Sequence, residues 1–475
     1  MENLKNFYIN GTWVQPSSKT TMRVLNPANE TQVGFIGLAD EDDVNSAVEA
    51  AYSAFKGFSQ SSKADRLELL LNVKSITERR LEELAQAMCL EMGAPITMAR
   101  DAQADAAIGH LDGFIEALKN HQERTRLNNG DILLREPIGI CGLITPWNWP
   151  MNQITLKVLP ALATGCTCIL KPSEHTPISA MLYAEILHES GYPPGVFNLI
   201  QGDGGTAGAA MSKHPKIEMM SFTGSTRAGK AVTCDAADTV KRVTLELGGK
   251  SPNLVFSDCD LEERVTASVA ECMFNSGQSC DAPTRLLVQK ECYEKVLLIA
   301  KTAAENTKIG NPEIEGDHIG PLFDEIQFAR VQKMIQQGID EGATLLAGGL
   351  GKPVGFETGW FTKPTIFCNV SNNMRVAREE IFGPVLVIIP FEDEQDAINI
   401  ANDTPYGLAA YIQTGDIDRA ERVAAKLRAG AVHINGGSIE YGTPFGGYKQ
   451  SGNGREGGVM GIEDYLETKS LHGLN

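Results

Sequence analysis

The clearest chemistry in this sequence gathers around one cysteine at the tip of a polar turn. Asp260, followed three residues later by Glu263, makes a capping-box-like helix start, and Val265, Val269, Ala270 and Met273 form an apolar stripe at helical spacing. The stripe then breaks into Asn275-Ser276-Gly277-Gln278-Ser279-Cys280, which ends a helix in a tight loop and leaves the Cys280 thiol where a nucleophile is needed. Taken alone, a loop cysteine is more often inert than catalytic. Glu246 is a second group of interest, a carboxylate just before the flexible pair Gly248-Gly249. Asp281 places another carboxylate directly after Cys280, and its field raises the thiol pKa unless a partner offsets it, for which Arg285 is near enough in sequence.

The elements that would position these groups can be read from periodicity. Asn10-Gly11 inside the segment 7–14 supplies the positive φ of a tight hairpin turn. Helical spacing follows at 43–58, 63–92 (stopped by Gly93) and 99–118. From Gly139 short apolar runs alternate with helical stretches: strands are predicted at 140–144, 167–170, 196–200, 219–222 and 243–247, with helices at 152–163, 177–189, 205–213 and 225–236. Pro177 at a first helical position and Gly191 past the end frame one of them. That alternation is the βαβ pattern of a parallel doubly wound sheet, whose ligands sit beyond the carboxyl ends of its strands. After Gly249 a second α/β region is predicted, with strands near 253–256, 285–288, 385–389, 409–412 and 431–434 and helices near 261–274, 292–304, 323–341, 395–402 and 417–428.

Bulk properties narrow the function classes. A chain of 475 residues implies two to three domains. With 42 basic against 60 acidic residues the net charge is −18, the wrong sign for nucleic acid or anionic lipid. Residues 1–10 lack a signal-type apolar core and the longest aliphatic run, 385–389, is too short to span a bilayer, so a cytoplasmic protein without membrane contact is expected. The ten scattered cysteines read as reduced thiols, Cys166 and Cys168 as buried structural ones rather than metal ligands. No histidine spacing proposes a metal site.

Seven segments, all at predicted strand ends or turns, raise the prior on Cys280. They are Thr145-Pro146-Trp147-Asn148-Trp149-Pro150, Lys171-Pro172-Ser173-Glu174, Phe222-Thr223-Gly224-Ser225, Glu246-Leu247-Gly248-Gly249-Lys250, the Cys280 loop, Glu379-Glu380-Ile381-Phe382-Gly383-Pro384 and Pro444-Phe445-Gly446-Gly447-Tyr448-Lys449. In order and spacing the chain closely resembles the aldehyde dehydrogenase superfamily, over essentially its whole length. The resemblance implies a Rossmann-like doubly wound NAD domain at 1–117 and 138–248, a second α/β catalytic domain at 249–448, and a small β oligomerisation arm from 118–137 and 461–475. It implies a homodimer or homotetramer.

The same resemblance implies the roles. Cys280 would be the nucleophile, and the Asn148 side-chain amide with the Cys280 backbone N–H the oxyanion hole. Glu246 would be the general base that lets water cleave the thioester to a free acid. Lys171 and Glu174 would hold the adenosine ribose, a carboxylate that prefers NAD and leaves NADP as the alternative. Ser225 and Gly229, in the variant Gly224-Ser225-Thr226-Arg227-Ala228-Gly229, would serve the pyrophosphate and close packing. Glu380 and Phe382 would serve the nicotinamide riboside, and Ile144, Thr145, Pro146, Trp147, Ser173, Gly204, Phe222, Thr223, Gly224, Leu247 and Gly248 complete the expected cofactor set. Trp149, Met151, Ser279, Tyr441 and Phe445 are expected near the aldehyde, with Asp281 at the mouth favouring cationic substrates. Acyl transfer to coenzyme A, or a non-enzymatic protein on the same fold, are the alternatives.

Overall fold

The computed structural model describes residues 4–474. Positions 1–3 and 475, which begin and end the outermost expected ranges, lie outside the described residues. The chain forms an eight-stranded and a seven-stranded sheet, with a three-stranded and a two-stranded sheet beside them. The core of the first large sheet runs in the order Arg242–Glu246, Met219–Thr223, Ile140–Ile144, Thr167–Lys171, Phe197–Leu199, all parallel. Strand order therefore reverses between Ile140–Ile144 and Met219–Thr223, and a crevice opens at their carboxyl ends. Both faces are covered, because alternate residues of one strand enter opposite cores: Cys141 and Leu143 in one, Ile140 and Ile144 in the other.

Two antiparallel additions complete this sheet. The hairpin Phe7–Ile9/Thr12–Val14 docks beside Phe197–Leu199, its turn made by Asn10 (φ 52°) and Gly11 (φ 78°). At the opposite edge, Gly452–Asn453 pairs with Arg242–Glu246, so the C-terminal region returns to the first sheet. The second large sheet is ordered Thr344–Ala347, Thr365–Cys368, Val385–Phe391, Arg285–Gln289, Pro252–Val255, Ala409–Gln413, Ala431–Ile434, parallel except for the first. Leu287 faces one of its cores, Leu286 and Val288 the other.

The expected helix at 63–92 is two, Lys63–Arg79 and Leu81–Met92, hinged at Arg80 (φ −106°, ψ 13°), whose guanidinium binds Glu83, Glu185 and Glu189. Ahead of Asp105–Asn120 the chain takes one π-helical stretch, Ala99–Ala104. The expected excursion forms strands Arg124–Arg126 and Ile132–Pro137, and Leu466–Leu471 pairs with the latter over six residues. The hairpin Thr21–Leu25/Gln32–Gly37 and the strands Thr344–Ala347 and Thr365–Cys368 went unread in the sequence.

Candidate active site

The helix Leu261–Met273 is capped by Asp260, whose carboxylate accepts the Glu263 N–H at 3.1 Å. Beyond it the backbone enters left-handed space three times running, at Asn275 (φ 52°), Ser276 (φ 55°) and Gly277 (φ 70°). For a non-glycine this costs about 1–3 kcal/mol per residue, so the loop must be held from outside. Asn275 Nδ2 donates to the Asn148 carbonyl at 2.9 Å and Ser276 Oγ to the Gly320 carbonyl at 2.7 Å. Gln278 Nε2 closes on the Asn275 carbonyl at 3.0 Å, while its Oε1 accepts the Phe323 N–H at 3.0 Å. Gly277 is required twice over, since a Cβ there would also sit 2.2 Å from the Gly383 oxygen.

This framework turns Cys280 toward the crevice. A cavity of about 190 Å³ is lined by Cys280, Asn148, Glu246, Pro146, Trp147, Thr223, Gly224, Ser225, Leu247, Gly248, Glu380 and Phe382, together with Phe323, Gln327 and Arg330. Three distant stretches thus converge on one space. Asn148 is buried and bonded to the nucleophile loop, its Nδ2 donating to the Gln278 carbonyl at 3.0 Å. An amide nitrogen carries two hydrogens, so one remains for an oxygen in the cavity. At Gly249 a Cβ would meet the Cys280 carbonyl oxygen at 2.3 Å, which is how closely the Gly-Gly turn approaches the nucleophile.

The electrostatics follow from burial and crowding of carboxylates. The Cys280 thiol is pushed well above its usual pKa by burial, then by Asp281, Glu380 and Glu246. Glu246 is 4% exposed, both its oxygens lack partners among the described residues, and burial with the Glu456 charge raises it well above the carboxylate range, while Lys157 and Arg455 pull it down. Lys157 is itself fully buried, ion-paired with Glu456 and 3.2 Å from Ser221 Oγ. Glu380 accepts the Gly249 N–H at 3.1 Å and is pushed by burial up to about 7.

The remaining expected residues border this cavity unevenly. Ile144 and Lys171 end adjacent strands in register, and Lys171 Nζ donates to the Gly202 and Pro172 carbonyls at 2.7 and 2.9 Å with Glu174 at 3.5 Å. Thr145 and Ser173 are buried beside them, and Phe222 is buried in the strand before the Thr223 turn. Ser225 caps the helix Thr226–Ala236, accepting the Ala228 N–H at 3.3 Å. Gly229 packs on Leu247, where a Cβ would come within 2.7 Å. Gly204 is exposed, with nothing within 4 Å of a Cβ placed there, whereas a Cβ at Gly208 would lie 3.7 Å from Ile144 and 4.0 Å from Lys171.

Two expectations fail. Arg285 does not offset Asp281: its guanidinium is buried and donates to the carbonyls of Lys250, Ile400 and Ala401 and to Asn372 Oδ1. It begins a strand, and four residues along extended chain do not bring side chains together as they would on a helix. Met151 is no wall of the aldehyde space, being fully buried in the first core. Trp149 and Ser279 do meet, Nε1 donating to Oγ at 2.8 Å.

Sequence reasoning missed Phe323, Gln327 and Arg330. Phe323 stacks on Trp147 at 3.6 Å, opposite the edge of Phe382 at 5.5 Å. Gln327 Nε2 donates to the Ile381 and Phe382 carbonyls at 3.1 and 2.7 Å, and Arg330 Nη2 to the Glu380 carbonyl at 2.6 Å, so the helix Glu325–Asp340 carries the 380–382 segment. Their spacing of four and then three was the available signal, yet on an amphipathic helix it reads as a solvated face.

Known proteins are similar to this chain in sequence and fold. The profile described as Aldehyde dehydrogenase family matches residues 13–471. A 3-succinoylsemialdehyde-pyridine dehydrogenase from a Pseudomonas species is 50% identical over 100% of this chain and 99% of its own length. A putative aldehyde dehydrogenase of Staphylococcus saprophyticus is 45% identical, again over 100% of this chain and 99% of its own. Among solved structures, a mutant aldehyde dehydrogenase of Pseudomonas syringae in complex with NAD+ and octanal superposes with a TM-score of 0.98, at 48% identity, covering 99% of this chain and 97% of that one. An aldehyde dehydrogenase of Bartonella henselae gives 0.97 at 48% identity, covering 98% of each chain. With the family profile spanning residues 13–471 and relatives that match it along the chain and in fold, the chain belongs to the aldehyde dehydrogenase family.

Proposed function

We propose that this protein oxidises an aldehyde to the carboxylic acid with NAD, through a thioester on Cys280. The observation that carries the reading is the single cavity in which the Cys280 thiol, the Asn148 amide and the partnerless Glu246 carboxylate converge at the switch point of the doubly wound sheet. Burial, with the nearby carboxylates, keeps the thiol protonated, so a base must take its proton, and Glu246 is the group free to do so. Sγ then bonds to the aldehyde carbon and its oxygen becomes an anion. The second Asn148 amide hydrogen and the Cys280 N–H face that charge, each such donor being worth about 3–4 kcal/mol. Glu246 passes the thiol's proton to solvent, and after the acyl carbon has lost hydride its carboxylate deprotonates the water that cleaves the thioester.

The crevice fits a dinucleotide. The Thr145 and Thr223 hydroxyls are buried without partners among the described residues, and a Cβ at Gly248 would collide with Glu380 at 2.3 Å, so the chain leaves this cradle clear. When bound, NAD supplies the hydride acceptor. Glu174 and Lys171 would take the adenosine ribose, Ser225 and the helix it caps the pyrophosphate, and Glu380 the nicotinamide ribose. NAD is favoured over NADP because Glu174 repels a 2′-phosphate while the Lys171 ammonium is spent on carbonyl oxygens. NAD+ and octanal in the Pseudomonas syringae structure support this assignment. Residues 1–117 and 138–248 would then form the NAD domain, 249–448 the catalytic domain, and 118–137 with 461–475 the arm of a homodimer or homotetramer.

Among the described residues no helix is long and apolar enough to cross a membrane, and all ten cysteines are free thiols, which suits a reducing cytoplasm. Purified protein should reduce NAD in the presence of aldehydes without coenzyme A, and Cys280→Ala should not. Turnover surviving in that variant sinks the mechanism, and a requirement for coenzyme A replaces hydrolysis with acyl transfer.

A further inference from the structure

Phe323 is a large apolar side chain outside the packed interior. It is half-buried and belongs to none of the hydrophobic cores among the described residues, although Leu322 beside it is fully buried in the core of the second large sheet. Its ring instead reaches across the crevice. It stacks on Trp147, which follows the strand Ile140–Ile144 of the first sheet, with centroids 3.6 Å apart and planes 26° from parallel. His175, next to Glu174, meets the same ring edge-on at 4.9 Å.

The backbone under this ring is fixed. The Leu322 N–H donates to the Trp360 carbonyl at 3.0 Å, the Phe323 N–H to Gln278 Oε1 of the cysteine loop at 3.0 Å, and the Asp324 carboxylate accepts the Gln327 N–H at 2.7 Å. A ring on such a support moves by turning about its own side-chain torsions, which is fast for partly exposed residues. Both stacked rings line the cavity that Cys280, Glu380 and Ser225 share, and its volume is about 190 Å³. Sites for small ligands and cofactors measure about 300–1,000 Å³, so part of this wall must move before a dinucleotide can seat. Among the bulky lining side chains, Trp147 packs on the first core, and Gln327 and Arg330 are bonded to carbonyls of the 380–382 segment. The Phe323 ring has its stack to hold it.

We propose that Phe323 is the gate of the cofactor crevice: its ring turns off Trp147 to admit NAD and to release NADH, and stacks back between exchanges. This rests on the reading above that the dinucleotide seats in the cavity beside Cys280. Cofactor then passes, in either direction, only in the fraction of molecules whose stack is open. Because the moving part is a side chain and the Phe323 N–H stays on Gln278, the gate opens without pulling on the strained loop that carries Cys280.

Rapid mixing of the full chain with excess NADH, followed by nicotinamide fluorescence, reads association and dissociation rates with no aldehyde present. In Phe323→Ala both rates should rise about two- to tenfold, the span that a stacked aromatic pair supplies, while Kd changes by less than either rate. A gate slows passage both ways, whereas a residue that only grips bound cofactor slows departure alone. Phe323→Leu keeps apolar bulk without a ring face and should move both rates in the same direction. With NADH in excess neither rate depends on the fraction folded, so a poorly folding variant still reports. An unchanged association rate in both variants overturns the gate and leaves the thioester reading standing. Should both rates rise as expected while Cys280→Ala still oxidises aldehydes, the thioester reading falls and the gate stands. A wild-type protein that takes up no NADH overturns both.

Discussion

Glu246 ends its strand with both oxygens buried and unpartnered among the described residues, a costly arrangement unless the carboxyl is neutral for part of its working life. Burial and Glu456 hold its pKa up, and a base must be ionised to act. Below the raised pKa it is protonated and idle, above it the oxygens can take a proton. kcat should therefore climb with pH along a limb lying above the ordinary carboxylate range. Glu246→Gln should remove that limb and slow turnover about 10²–10⁴-fold, because both thiol activation and thioester cleavage lose their base. Wild-type turnover in Glu246→Gln refutes the assignment. Glu380, pushed to about 7, gives the cofactor site its own pH dependence. Its carboxylate accepts ribose hydroxyls once ionised, so NAD should bind several-fold more tightly at pH 8 than at pH 6, and Glu380→Gln should flatten that difference in a calorimetric titration. That Cys280, Asn148 and Glu246 border one cavity was foreshadowed by the seven ordered segments that carry the resemblance to the aldehyde dehydrogenase superfamily, in which all three stand. Lys157 and Glu456, which set the field on Glu246, were not: a lysine within an apolar helix and a glutamate in a Gly-rich tail give no sign of meeting until the fold buries them together.

Among the elements, the cysteine loop bears the strain. The loop is held by its own side chains, which bond backbone groups of Asn148 and of the 320–323 stretch, so the nucleophile's position is a property of the whole collar. Gly277→Ala combines a φ of 70° with a Cβ 2.2 Å from the Gly383 oxygen, and should cost about 1–3 kcal/mol or more. Thermal unfolding should fall by several degrees, and aldehyde turnover should fall further than the melting shift accounts for, because the loop moves Cys280. Unaltered turnover with an unaltered melt would show that the collar tolerates the side chain. Elements with clean periodicity were readable to within a few residues, and the parallel core of the first sheet with them. The hairpin Thr21–Leu25/Gln32–Gly37 was hidden because most of its residues are exposed or half-buried, without apolar alternation. Thr344–Ala347 lies mostly exposed at a sheet edge, and Thr365–Cys368 is only four residues of buried chain after a long Gly-rich loop.

Over the whole molecule, the two large sheets meet at one cavity and are tied by a returning strand. Ser451 Oγ donates to the Gly248 carbonyl at 2.7 Å, and Gly452–Asn453 extends the first sheet beside Glu246. The small sheet of Leu466–Leu471, Ile132–Pro137 and Arg124–Arg126 is different in kind. It is joined to the first large sheet by Arg242, which donates to the Asp464 and Leu466 carbonyls, and both of its outer strands leave one edge unpaired within the chain. A three-stranded sheet with two open edges is an invitation to pair with another chain, which is the physical basis for proposing a homo-oligomer. Sedimentation at micromolar concentration should give a dimer or tetramer, and a monodisperse monomer refutes it. Consecutive residues of an antiparallel strand point their N–H groups to opposite edges, so Thr468→Pro and Lys469→Pro remove one inward and one outward donor. One of the pair should lower the melting temperature by breaking the bond to Ile132–Pro137, and the other should loosen the assembly while leaving the isolated fold intact. If both variants melt lower and neither changes the sedimentation coefficient, the open edge of Leu466–Leu471 is not where copies of this chain join.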